Sequence, residues 1–183
     1  MAIEDLLRGH AAVGRRRAAA DAHGVPIRPA QHTVIVTCMD ARIDVYTLFD
    51  LALGDAHVLR NAGGVVTDDV IRSIVISQRK LGTAEVLLVH HEGCGMVTFT
   101  DDEFSDELAT ETGMRPPWRP RAFDDVAEDV RSGMARLARN PFLRPGTPVR
   151  GFVLAMDTFA LAEVHPADRN GHRREALDGG ILP

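Results

Sequence analysis

Short runs of apolar, often β-branched residues alternate along this chain with longer stretches in which apolar residues recur every three or four positions. The short runs are "HTVIVTC" (32–38), "AHVLRNAGG" (56–64), "AEVLLVHH" (84–91) and "VRGFVLAM" (149–156). Continuous rather than alternating apolarity predicts strands buried on both faces, as in a parallel sheet, with 149–156 the last of them. Helical spacing begins at residue 3 and runs to about residue 20, where Leu6, Leu7, Ala11, Ala12 and Val13 are apolar and Arg15 to Arg17 suit the negative end of the dipole. A second helix carries Val70, Ile71, Ile74, Val75 and Leu81, with Asp68 or Asp69 able to cap it and Gly82 to stop it. A third presents Phe123, Val126, Ala127, Val130, Met134 and Leu137 on one face, with Asp124 and Asp125 at its start and Pro141 just past its end. The acid- and proline-rich stretch 101–120 reads as a loop.

Strands alternating with helices predict an α/β fold, a mainly parallel β-sheet flanked by helices. Pro26 and Pro29 force an extended connection behind the first helix, so residues 1–30 read as an N-terminal helical arm. Such an arm packs on its own domain or on a partner subunit. Residues 31–165 form the α/β domain, and 166–183 a polar C-terminal tail.

Composition narrows the functional classes. A chain of 183 residues buries a core without metal staples, so a metal here is functional rather than structural. The 26 acidic residues outnumber the 21 basic ones, and no basic run exceeds Arg15 to Arg17, which argues against nucleic acid and for a small-molecule partner. No stretch approaches the roughly 20 apolar residues of a membrane span, and the first residues lack a signal-peptide core, so the expected location is cytoplasmic, away from the membrane. In that reducing compartment Cys38 and Cys94 are expected as thiols rather than a disulfide.

The unusual residues gather where an open parallel sheet binds ligands, outside the carboxyl ends of its strands. Cys38 ends the first run, Asn61, Ala62, Gly63 and Gly64 follow the second, and His90, His91 and Cys94 follow the third. Two thiolates and one imidazole are ligands that suit zinc, and three protein ligands leave a fourth position for water. Spacing accommodates either histidine, but neighbouring strand residues point to opposite faces, so only one faces the site. Beside the first thiol stands "CMDAR". Asp40 is placed either to close the metal site as a fourth ligand or to orient a metal-bound hydroxide, and Arg42 to hold that carboxylate in a bidentate pair.

Cys38-Met-Asp40-Ala-Arg42, then Arg60-Asn61-Ala62-Gly63-Gly64, then His91-Glu-Gly-Cys94-Gly95-Met96, resembles the β-class carbonic anhydrases in order, spacing and strand context. The likeness is to their shorter microbial branch, especially actinobacterial members, and runs from about residue 3 to residue 164. It implies Zn2+ held by Cys38, His91 and Cys94, with Asp40 and Arg42 as the catalytic dyad. The reaction implied is reversible hydration of CO2 to bicarbonate by zinc-bound hydroxide, in a homodimer or tetramer whose N-terminal helix reaches over the partner. Asn61 to Gly64 would line the substrate pocket, and His90 or His57 are candidates for a proton relay. Members that hydrolyse carbonyl sulfide or carbon disulfide keep the same zinc site, and a non-catalytic homologue would act as a binding subunit. The chain departs from the family pattern in three places. Glu92 and Gly93 stand where Thr-Asp is common, the pocket glutamine of longer members falls at Pro29 with Gln31 nearby, and Phe159 replaces a glycine.

Overall fold

The computed structural model describes residues 2–17 and 24–166. Its elements are α1 (Ala2–Arg17), β1 (Thr33–Cys38), α2 (Val45–Leu48), β2 (Ala56–Asn61), α3 (Asp68–Leu81), β3 (Glu85–His91), α4 (Asp101–Thr112), α5 (Val126–Ala138), β4 (Val149–Leu154) and β5 (Leu161–Val164). The strands form one sheet in the order β2-β1-β3-β4-β5. The first four run parallel and β5 antiparallel to β4.

Both faces of this sheet are covered, which is why its strands read as continuous apolar runs. On one face Val34, Val36, Val86 and Leu88 meet Val70, Ile71 and Ile74 of α3 and Val130, Met134 and Leu137 of α5. On the other, Ile35, Val89 and Leu154 pack with Ile43, Val45, Met96 and the two cysteines. The register sets Cys38 beside Asn61 and His91 beside Leu154, so the carboxyl ends of β1, β2 and β3 finish on one rim.

Several expectations change. The stretch 101–120 is not all loop: α4 occupies Asp101–Thr112, held by a capping box in which the Thr100 side chain accepts from the Glu103 N–H and Glu103 accepts from the Thr100 N–H. The strand at β4 is not the last, because β5 folds back beside it. Neither Asp68 nor Asp69 caps α3; Thr67 does, and both aspartates lie in the first turn. The second run, by contrast, runs into its glycine pair as expected: the strand ends at Asn61 and Ala62–Gly64 makes a 3-10 turn. Phe123 precedes α5 rather than lying on it, because Asp125 is the N-cap. The expected polar tail lies almost wholly outside the described residues.

Candidate metal centre

Three buried side chains converge at the rim. Cys38 is the last residue of β1, His91 the last of β3, and Cys94 follows three residues on; one ligand atom of each lies within 4.8 Å of the others. The pleat resolves the choice between histidines. His91 turns toward the thiols, whereas His90 turns to the opposite face, where its Nε2 donates to Asp129 Oδ2 of α5 at 2.8 Å and its ring lies 5.7 Å from Phe123.

His91 Nδ1 donates to its neighbour's carbonyl, Glu92 O, at 2.9 Å, which fixes the tautomer and leaves Nε2 with a free lone pair. That Nε2 is buried and has no hydrogen-bond partner. An orphaned imidazole nitrogen beside two thiols is costly unless something binds there. The donor set and its spacing fit zinc. Two sulfurs each about 2.3 Å from one tetrahedral ion lie about 3.8 Å apart, and the Cys38 and Cys94 Sγ atoms are 3.9 Å apart.

Charge is distributed unevenly between the thiols. Burial opposes a Cys38 thiolate, but interactions with His91 and the backbone at Asp40 and Gly63 outweigh it and bring the thiol down to about 7. For Cys94 burial prevails, assisted by the neighbouring Cys38, and its thiol is pushed up. The nearby Cys38 raises the His91 pKa against the opposing effect of burial.

Asp40 stands beside this cluster, its Oδ2 3.8 Å from His91 Nε2. Arg42 grips it as a fork: Nε donates to Oδ1 at 2.9 Å, Nη2 to Oδ2 at 2.7 Å, and the Arg42 backbone N–H to Oδ1 at 2.9 Å. Those bonds hold the carboxyl well below the usual carboxylate range, so it accepts hydrogen bonds and carries no proton.

The turn after β2 makes close contact with the site. Gly64 has φ +72°, and a Cβ there would fall 2.9 Å from the Cys38 nitrogen, so only glycine lets the turn lie against β1. Ala62 packs in the apolar cluster that holds both cysteines. Asn61 donates from Nδ2 to Val65 O at 2.9 Å, while its Oδ1 is buried without a partner. In the metal loop Gly93 has φ +62° with open space around it, so the departure there answers the turn's geometry rather than a lack of room.

Other candidates fall away from the centre. His57 Nδ1 bonds Ser77 Oγ at 2.7 Å, and Ser77 bonds Thr83, while His90 is tied to Asp129; both have structural partners on elements behind the rim. Gln31 reaches Asp55 rather than the thiols. The sequence marks Arg60 only as part of a motif. In the structure its Nε donates to Cys38 O at 3.0 Å and its Nη2 to Asp40 O at 2.6 Å, bonds to backbone carbonyls that have no signature in a sequence.

Comparison with known proteins agrees with this geometry. Residues 33–142 match the family model described as carbonic anhydrase. The chain is 54% identical over 142 residues to β-carbonic anhydrase 1 of Mycobacterium tuberculosis, covering 78% of this chain and 87% of that protein. It superposes on the crystal structure of a carbonic anhydrase from Streptococcus mutans with a TM-score of 0.83 at 38% identity, over 90% of this chain and 98% of that one. A shorter match, 48% identical over 69 residues, joins 38% of this chain to 34% of a carbon disulfide hydrolase from Saccharolobus solfataricus. With Cys38, His91 and Cys94 placed to hold a metal and a match spanning most of the domain, the chain belongs to the β-carbonic anhydrase family.

Proposed function

We propose that this chain catalyses the reversible hydration of CO2 to bicarbonate and a proton, with zinc held by Cys38, His91 and Cys94 and with Asp40 and Arg42 as the catalytic dyad. One observation carries the reading: the buried, unpartnered His91 Nε2 faces two thiols, with an arginine-held carboxylate 3.8 Å away. Zinc bound there is a Lewis acid that makes hydroxide available from water near neutral pH. The remaining work belongs to the chain. Asp40, kept ionised by Arg42, accepts the hydrogen bond of the attacking oxygen and turns a lone pair toward the carbon. Asn61, Ala62, Gly63 and Gly64 are the residues we assign to the substrate pocket, a reading supported by the packing of Ala62, Met96 and Phe123 in one apolar cluster with both cysteines and by the close approach of Met96 and Phe123 to Gly63. Two free cysteines as ligands suit a reducing compartment, which supports the cytoplasm as the place of action. No helix among the described residues is long and apolar enough to cross a membrane.

Zinc analysis with stopped-flow CO2 hydration tests this. Cys38→Ser is expected to lose both zinc and activity. Asp40→Asn is expected to keep zinc and lose ~100-fold in kcat, the scale of a misdirected nucleophile. Full activity from a zinc-free Cys38→Ser protein would overturn the assignment. The match to a carbon disulfide hydrolase supports a second reading, hydrolysis of carbon disulfide or carbonyl sulfide at the same site. Hydrogen sulfide release outpacing CO2 hydration would establish it.

We also infer a homodimer in which residues 1–30 form an arm over the partner, with pairs of dimers a further option. Ile3, Leu6 and Leu7 of α1 are exposed in the isolated chain, and β2 is a free edge of the sheet. Beside that edge lies a groove of about 500 Å³ lined by Tyr46, Val58, Ile76 and Leu81 among others. Unpaired edges and exposed apolar helix faces are what an interface covers.

A further inference from the structure

After Cys38 the chain leaves the sheet, and the segment bearing Asp40 crosses open ground. Its backbone ties are few: Met39 N–H donates to Asn61 O at 2.8 Å, and Ile43 N–H returns to Asp40 O at 3.1 Å. Met39 itself is largely exposed. Into this gap comes Arg60, the penultimate residue of β2, whose register partner on β1 is Thr37. One edge of its guanidinium spans the two carbonyls that flank Met39, Nε on Cys38 O at 3.0 Å and Nη2 on Asp40 O at 2.6 Å. Among the described residues it is the only side chain from another element that hydrogen-bonds the backbone of this segment.

We propose that Arg60 is a positioning residue that clamps the backbone between a metal-binding thiolate and the catalytic carboxylate, setting the distance from one to the other. This rests on the functional reading above. Asp40 is then held at both ends, its carboxylate by Arg42 and its carbonyl by Arg60. The requirement is for a planar fork with two fixed donors on one edge. Lysine keeps the charge but presents a single rotating ammonium and cannot bridge both carbonyls in one geometry. An arginine serving only to stabilise the strand end would leave the relation between thiolate and carboxylate unchanged on removal. A clamp would not.

The test compares wild type, Arg60→Lys and Arg60→Ala, each loaded with zinc for kinetics and with cobalt(II) for visible spectroscopy. Loss of the clamp is expected to leave one metal per chain and to lower kcat ~10- to 100-fold, the cost of misplacement by about an ångström. KM is expected to stay within about twofold, the pattern of an interaction realised in the transition state. The cobalt absorption, which reads the ligand field of the thiolates directly, is expected to shift in both variants. Guanidinium ion added at non-denaturing concentration is expected to restore part of kcat to Arg60→Ala. Native kcat and native cobalt spectra in either folded, metal-loaded variant would overturn the proposal. Should Arg60→Ala fail to fold, Arg60→Lys decides by the same two readings. A wild-type protein that binds cobalt but does not hydrate CO2 refutes the functional reading instead, and the clamp then stands or falls on the spectra.

Discussion

Phe159 occupies the turn between β4 and β5 with φ +57°, a left-handed conformation that a side chain with a Cβ resists. Its N–H closes the turn on Ala155 O at 2.9 Å, and its ring is half exposed, so little packing repays the strain. Phe159→Gly is therefore expected to raise stability by about 1 kcal/mol, read from the urea midpoint, because left-handed backbone costs a non-glycine residue about that much. The Asp40–Arg42 pair makes a prediction in pH. Arg42 lowers the folded-state pKa of Asp40, so the pair's contribution is complete above the carboxyl's unfolded value of ~3.9 and is lost as pH falls toward the lower folded value. With zinc removed from both proteins, the stability gap between wild type and Asp40→Asn is expected to be constant from pH 7 to about pH 5 and to shrink below pH 4. A gap that widened on acidification would show that the pair does not lower this pKa.

At the scale of elements, what burial dictates was legible and what end contacts dictate was not. β1, β3, α3 and α5 carry the core, and their apolar patterns announce them. α4 has no fully buried residue; Phe104 and Leu108 are only half covered, so no apolar face marks it. Its signals were at its ends instead, the Thr100/Glu103 box and the left-handed Gly113, readable in the sequence but outweighed by the acidic and proline content around them. β5 is four residues long with two of them exposed, too short for a period to show. The metal site divides in the same way. Cys38, Asp40, Arg42 and Cys94 are visible as a pattern, whereas spacing leaves His90 and His91 equal and only the family's H-x-x-C pattern names His91; the physical reason, which face of β3 meets the thiols, emerges when the strands pair. The weak anchoring of α4 also has a measurable consequence. Thr100→Ala removes a cap worth about 1 kcal/mol, yet a helix with so little buried surface opens locally before the molecule unfolds. Amide exchange over Asp101–Thr112 is expected to quicken about fivefold, that free energy at RT ≈ 0.59 kcal/mol, while the thermal midpoint barely moves. An equal loss in midpoint would mean that α4 unfolds with the core.

For the whole molecule the decisive question is what covers α1. A 16-residue helix is marginal in water on its own and needs a surface to lie on. Ile3, Leu6 and Leu7 are 69%, 72% and 63% exposed, so the isolated chain does not supply that surface to them. A second copy does so if the arm crosses the β2 edge, and a two-fold axis would then bury both arms at once. Burying one leucine contributes about 1.5–3 kcal/mol, so Leu6 and Leu7 on two arms together contribute about 6–12 kcal/mol to association. At about 1.4 kcal/mol per decade, the loss of even the lower figure weakens the dimer by about four orders of magnitude. The double variant Leu6→Glu, Leu7→Glu, which also places charge on the buried face, is thus expected to run as a monomer by light scattering at micromolar concentration, where the wild type runs as a dimer or larger. Because Leu6 and Leu7 lie outside both core clusters, the variant is expected to keep its fold by circular dichroism and its metal by direct analysis. A double variant that remained dimeric would remove the arm from the interface and leave the β2 edge alone to hold it.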